Sequence, residues 1–99
     1  MNPSLRVPRD KIEEFCRRNH IRWLALFGSA LRDDFRPGSD VDVLVEFEPG
    51  HVPGLAMIRM QSELARLLGR DVDLVTPKFL NRRIRERVLS EMEVQYAQE

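Results

Sequence analysis

The chain has 99 residues, of which 42% are hydrophobic and 32% charged, so we expect a single folded domain over 1–99, not a disordered tail or a fibre. Sixteen basic and sixteen acidic residues cancel, which argues against whole-molecule attraction to nucleic acid or anionic lipid. Cys16 is the single cysteine and cannot form an internal disulfide. No apolar run approaches the roughly 20 residues that span a bilayer. We therefore expect a cytoplasmic protein without direct nucleic-acid or membrane contacts.

Hydrophobic periodicity predicts alternating helices and strands along the chain. Val41, Val43 and Val45 alternate as in a strand, whereas Ile12, Phe15 and Cys16 recur at helical spacing. The predicted order is helix, strand, short helix, strand, helix, strand, helix, over residues 9–19, 21–27, 29–32, 40–47, 57–68, 71–75 and 80–92. This order predicts an α/β (α+β) domain, a small mixed sheet of about three strands flanked by helices.

Two aspartates open the second predicted strand. Because strand side chains alternate between faces, Asp40 and Asp42 project from the same face, with Cα atoms about 6.6 Å apart. A cation between them would offset the cost of ionising both, and Mg²⁺ prefers such oxygen ligands. The alternative is that Asp40 belongs to the preceding turn and Asp42 is solvated. An isolated Asp-x-Asp pair does not decide between the two.

A glycine and a serine follow the first predicted strand, where a helical turn begins. Gly28 lets a phosphate approach the backbone closely, and Ser29 can cap the helix or donate to a phosphate oxygen. Arg32 and Arg36 could neutralise phosphate charge, although solvated surface arginines are more common. An ordinary turn is the simpler interpretation of this segment taken alone.

The third predicted strand carries Asp71 and Asp73 on one face and apolar residues on the other. Either aspartate could complete a triad with Asp40 and Asp42. We assign Asp73, not Asp71, to that position on the basis of the resemblance that follows.

The chain resembles the nucleotidyltransferase superfamily that includes DNA polymerase beta, and within it the minimal nucleotidyltransferases. The resemblance spans roughly residues 21–75. The matching text is Phe27-Gly28-Ser29, then ten intervening residues, Asp40-Val41-Asp42-Val43-Leu44-Val45, and later Val72-Asp73-Leu74-Val75. One departure is Asp33, where relatives often have glycine, which could reshape the loop.

The resemblance implies roles for individual residues. The three implied metal ligands and catalytic groups are Asp40, Asp42 and Asp73. The implied nucleotide-binding residues are Gly28, Ser29, Arg32 and Ser39. It also implies two Mg²⁺ ions and ATP as the nucleotide donor.

The function implied by the resemblance is that of an antitoxin in a two-gene system. Such a protein transfers AMP from ATP to a tyrosine of its cognate HEPN-domain toxin, with which we expect it to form a hetero-oligomer. Two alternatives stay open. The chain could be a non-catalytic antitoxin that masks its partner sterically, or a nucleotidyltransferase acting on a small molecule such as an aminoglycoside.

The remaining residues that could have a functional role are more simply explained by structural roles. His20 and His51 are far apart in sequence and lack ligand spacing with Cys16, which argues against a zinc site. Trp23, Met57 and Met60 are expected to pack in the core. The last predicted helix is rich in basic residues and is either a solvated face or a partner surface. These residues are Lys78, Arg82, Arg83, Arg85 and Arg87.

Overall fold

The computed structural model describes residues 8–28, 40–51 and 53–98. Its elements, in chain order, are α1 (Arg9–Arg18), β1 (Ile21–Phe27), β2 (Val41–Phe47), α2 (Ala56–Leu68), β3 (Val72–Val75), a 3₁₀ turn (Pro77–Phe79), α3 (Arg82–Glu91) and β4 (Glu93–Ala97). The predicted α/β class is confirmed. The short helix predicted over 29–32 lies outside the described residues.

The described strands form one mixed sheet in the order β3-β2-β1-β4. β1 pairs antiparallel with β2 and with β4, whereas β2 pairs parallel with β3. The sequence predicted about three strands and a helix through Met92, but the helix ends at Glu91. Met92 is extended (φ −61°, ψ 153°), and β4 begins at Glu93. β4 lies at the end of the described sheet with no fully buried residue, so it lacks the apolar alternation that revealed the other strands.

One face of the sheet packs against α1 and α2 to form the core. The alternation in β2 puts every second residue on this face, and the helices contribute apolar stripes at helical spacing. The buried core residues are Ile12, Phe15, Cys16, Ile21, Leu24, Leu26, Val41, Val43, Val45, Met60, Leu64, Leu68, Val72 and Leu74. The α2 stripe ends at Gly69, whose left-handed backbone (φ 70°) caps the helix.

The predicted core positions of the methionines are confirmed, but that of the tryptophan is not. Met60 is buried and Met57 packs against the core cluster. Trp23 lies outside this cluster and is only partly buried. Its indole Nε1 donates to Glu46 Oε2 across the β1–β2 pair at 2.6 Å. A buried indole N–H needs a hydrogen-bond acceptor, and Trp23 has its acceptor, Glu46, at a partly exposed position. This hydrogen bond accounts for the place of Trp23 outside the core.

α3 is peripheral, since none of its residues is buried. The Asn81 side chain caps its start by accepting from the backbone N–H of Ile84 at 2.9 Å. Arg85 donates to the carbonyl oxygens of Pro77 and Leu80 at 2.9 and 3.1 Å, which ties the helix to the 3₁₀ turn. Within the described ranges, no helix is both long and apolar enough to cross a membrane.

Candidate active site

The second and third strands bring two predicted aspartates side by side. In the parallel β2–β3 pair, Asp42 lies opposite Asp73. The backbone N–H of Val41 donates to the carbonyl oxygen of Asp71 at 2.8 Å, which fixes this register at the start of both strands. Neighbouring strands are about 4.8 Å apart, so the backbones of Asp42 and Asp73 lie side by side at this end of the sheet. Val72 and Leu74 are buried on the core face, and Asp73 is exposed on the other.

Asp40 and Gly28 join this pair from either side. Asp40 is exposed and precedes β2, and the buried Val41 between it and the partly buried Asp42 puts both aspartates on the face away from the core. On the other side of Asp42, Phe27 is its antiparallel partner in β1. Gly28 follows directly, with φ at 70°. A side chain at Gly28 would overlap the Asp42 carboxylate, so the two residues are in close contact.

The remaining predicted nucleotide-binding residues lie outside the described residues. They are Ser29, Arg32 and Ser39, together with the neighbouring Arg36 and Asp33. Of the predicted set, the structure therefore brings together Gly28, Asp40, Asp42 and Asp73. The triad assignment and the phosphate roles stay predictions.

The donor set fits a hard divalent cation. Three carboxylates at one end of adjacent strands supply only oxygen ligands, which Mg²⁺ prefers together with water and substrate phosphate oxygens. The position that a Cβ would take at Gly28 is already occupied by the Asp42 carboxylate, so only glycine allows the backbone to lie this close to it.

The sequence separation of His20 and His51 predicted that they do not share a metal site, but the structure places them together. His20 and His51 are 31 positions apart in the sequence, yet their rings stack with centroids 3.9 Å apart. Glu48 joins them, and one potential ligand atom from each of the three residues lies within 4.8 Å of the others. The signal available in the sequence was the position of His20 just before β1 and of Glu48 just after β2. An antiparallel pairing of those strands places these ends together.

Cys16 takes no part in that cluster. It is buried in the core, and burial raises the pKa of its thiol to about 12. A thiol with that pKa stays protonated at neutral pH and is a poor nucleophile and a poor metal ligand.

Comparison with known proteins identifies relatives across most of the chain. The sequence model of the family described as "Nucleotidyltransferase domain" matches residues 9–94. The protein adenylyltransferase MntA of Thermococcus cleftensis is 38% identical over 81 residues, covering 81% of this chain and 80% of that protein. The matched region of the family model contains all the predicted site residues.

Solved structures share the fold. A crystal structure of a toxin-antitoxin with AMP-PNP matches with a TM-score of 0.75 and 23% identity, over 94% of this chain and 76% of that chain. A structure of the tri-AMPylated HEPN toxin of Shewanella oneidensis in complex with its MNT antitoxin matches with a TM-score of 0.66 and 24% identity, over 91% of this chain and 70% of that chain. At these identities the likeness concerns the fold.

Proposed function

This chain belongs to the family of nucleotidyltransferase domains, and we propose that it is an antitoxin that transfers AMP from ATP to a hydroxyl group of a HEPN-domain toxin. The observation that carries the proposal is the alignment of Asp42 with Asp73 across β2 and β3, with Gly28 against Asp42. The relative named as a protein adenylyltransferase supports the choice of donor and acceptor classes. The fold shared with an AMPylated toxin–antitoxin complex supports the choice of partner.

The proposed reaction uses the aspartates as ligands and one of them as a base. Two Mg²⁺ ions held by Asp40, Asp42 and Asp73 would supply charge neutralisation of the triphosphate and a lowered pKa of the attacking hydroxyl. The hydroxyl oxygen bonds to the α-phosphorus while the bond to the bridging oxygen of the β-phosphate breaks. AMP stays on the acceptor and pyrophosphate leaves. The Asp73 carboxylate, exposed on the open face of the sheet, takes the hydroxyl proton.

The local structure explains how the chain would hold these groups in place. Asp42 lies on a strand that is hydrogen-bonded on both sides, by β1 and by β3. A carboxylate on such a strand is positioned more sharply than one on a loop. The predicted phosphate contacts are hydrogen bonds from Ser29 and Ser39 and a charged contact from Arg32, which would offset phosphate charge.

The test is transfer of label from [α-³²P]ATP in the presence of Mg²⁺. The purified chain is incubated with its cognate HEPN protein, and label on that protein is followed. We expect Asp42→Asn to lower transfer by at least about 100-fold, the scale lost when one charge-stabilising group leaves an active site. Circular dichroism should show an unchanged fold, because the substitution preserves side-chain volume.

The matched control is Asp10→Asn, which makes the same chemical change at an exposed position in the first turn of α1, outside the aspartate site. It should transfer at the wild-type rate. If a folded Asp42→Asn variant labels the HEPN protein normally, Asp42 is not in the site. If the wild-type chain and the Asp42→Asn variant both fail to transfer label but both still neutralise the toxin, the chain acts by steric masking. Label recovered on an added aminoglycoside instead of the protein would select the small-molecule alternative.

A further inference from the structure

A cluster of metal-ligating side chains lies at the opposite end of β2 from the aspartates. His20 comes from the turn between α1 and β1, Glu48 directly follows β2, and His51 lies in the next loop. One ligand atom from each lies within 4.8 Å of the other two. The cluster therefore draws on three separate parts of the chain, and none of its residues belongs to the aspartate site.

The backbone holds these three residues together. Ile21 pairs with Phe47 in the antiparallel β1–β2 ladder, so the residues just beyond each strand end are neighbours. The backbone N–H of Glu48 donates to the carbonyl oxygen of His20 at 2.8 Å, and that of His51 donates to Glu48 at 3.0 Å. His20 adopts a left-handed conformation with φ at 56°, which is uncommon for non-glycine residues, although histidine is among those that adopt it most readily.

The side chains are close together, but their rings are stacked and do not yet point at one common ion. The two imidazole planes are nearly parallel, with an interplanar angle of 15°, so at least one ring must rotate out of the stack for both to ligate the same ion. His20 Nδ1 lies 3.5 Å from Glu48 Oε2. The other oxygen of Glu48 accepts a hydrogen bond from the Gln98 amide. A hydrogen bond like this one from Gln98 commonly orients a carboxylate ligand toward a metal.

We propose that His20, Glu48 and His51 form a second metal site, which binds Zn²⁺ and is separate from the aspartate site. Two imidazoles and one carboxylate are a recurrent Zn²⁺ ligand set that leaves one coordination position open. At Zn–N distances near 2.1 Å, two tetrahedral ligand nitrogens lie roughly 3.4 Å apart. The present separations come within about 1–1.5 Å of that value, a difference that rotation of exposed histidine side chains covers.

The ligand chemistry of the two sites differs. Imidazole nitrogens suit Zn²⁺, whereas Mg²⁺ prefers oxygen ligands throughout. The two sites should therefore select different ions from the same solution.

The distance between the two sites makes them separable by experiment. Asp42 and Phe47 are five residues apart along β2, which corresponds to roughly 17 Å. Glu48 and His51 also line a cavity of about 560 Å³, together with Trp23, Pro77 and Leu89. A bound ion would tie the loop that borders this cavity to the turn before β1.

The test is Zn²⁺ titration of the metal-stripped full chain, carrying no histidine tag, by calorimetry. We expect one ion per chain, with binding unaffected by excess Mg²⁺. His51→Gln should weaken Zn²⁺ binding by more than the roughly 10–100-fold that loss of an outer-shell group costs, and Glu48→Gln by about 10-fold or more. His20→Asn removes a ligand while keeping a side chain that tolerates positive φ. Asp42→Asn should bind Zn²⁺ like the wild type.

The matched control for the carboxylate is Glu46→Gln, which changes a neighbouring residue that lines the same cavity but lies outside the cluster. It should keep full affinity. Thermal melts separate a metal role from a packing role. If His51 acts only by stacking on His20, the His51→Gln variant has a lower Tm in the absence of metal. If His51 acts only as a Zn²⁺ ligand, its metal-free Tm is unchanged, and only the rise in Tm on adding Zn²⁺ is lost. Wild-type Zn²⁺ affinity in both histidine variants, or loss of binding in Asp42→Asn alone, would overturn the proposal.

Discussion

Replacing Gly28 by alanine tests whether Gly28 and Asp42 act as one unit of the proposed active site. The backbone of Gly28 has φ at 70°, where an L-residue costs about 1–2 kcal/mol relative to glycine. In a domain of about 100 residues that corresponds to a Tm lower by at least about 4–8 °C. The new Cβ would also lie 3.2 Å from Asp42 Cγ and would overlap the nearer carboxylate oxygen.

The clash sets the expected effect on transfer. Ordinary carbon contacts begin near 3.5 Å and the oxygen is nearer still, so the Asp42 carboxylate must move by roughly 1 Å. A misplacement of about 1 Å in a catalytic group can cost on the order of 100-fold in rate. We therefore expect Gly28→Ala to lower AMP transfer about 100-fold and to raise the Mg²⁺ concentration needed for half-maximal transfer.

Gly69→Ala is the matched control. Gly69 has the same φ of 70°, but a Cβ there meets no atom within 4 Å. Both variants carry the backbone strain, and only Gly28→Ala carries the clash. Melting curves and transfer assays of the two variants at several Mg²⁺ concentrations separate these effects. Transfer by Gly28→Ala within a few-fold of Gly69→Ala would refute the reasoning, because the carboxylate would then have room to move without cost.

Three further expectations follow from described residues. Asp73→Asn should abolish labelling of the HEPN protein whereas Asp71→Asn should be mild, and the reverse result in the transfer assay would show that Asp71 is the third ligand. Charge reversal at Arg83 and Arg87 on α3 should slow association with the HEPN protein, most at low salt, as measured by stopped flow. An equivalent double reversal on α1 is the control, and equal rates would make α3 a solvated face. Because burial raises the pKa of Cys16 to about 12, iodoacetamide at pH 8 should alkylate it only on unfolding. Rapid labelling of the native chain, followed by mass spectrometry, would contradict its burial.

The second strand could be predicted from the sequence because local burial governs it. Val41, Val43 and Val45 alternate with Asp42, and the structure buries all three valines while leaving Asp42 partly exposed. That alternation alone puts the aspartates on one face. The neighbour of Asp42 on the next strand could not be derived in the same way, because it depends on the register between β2 and β3. Only the resemblance to a known family pointed to Asp73.

Features that depend on strand pairing could not be predicted from the sequence. β4 has no fully buried residue, so its signal was too weak to separate from the end of the preceding helix. The proximity of His20 and His51 depends on β1 and β2 being antiparallel. Sequence separation is a poor guide to distance wherever two strand ends meet. The rule that ligands follow a short spacing holds for motifs on one element and fails for sites assembled from several.

β2 connects the two proposed sites, because residues of one site lie at its beginning and a residue of the other follows its end. Asp40 and Asp42 mark its beginning, and Glu48 directly follows its end. β2 is hydrogen-bonded by β1 and by β3, so its position is fixed from both sides. β3 has only four residues and is the last strand in the described order, and Gln61 of α2 holds it by accepting from the backbone N–H of Leu74 at 3.0 Å. Asp73 therefore lies on a short strand at the end of the described sheet, and the Gln61 contact supports the register that brings it beside Asp42.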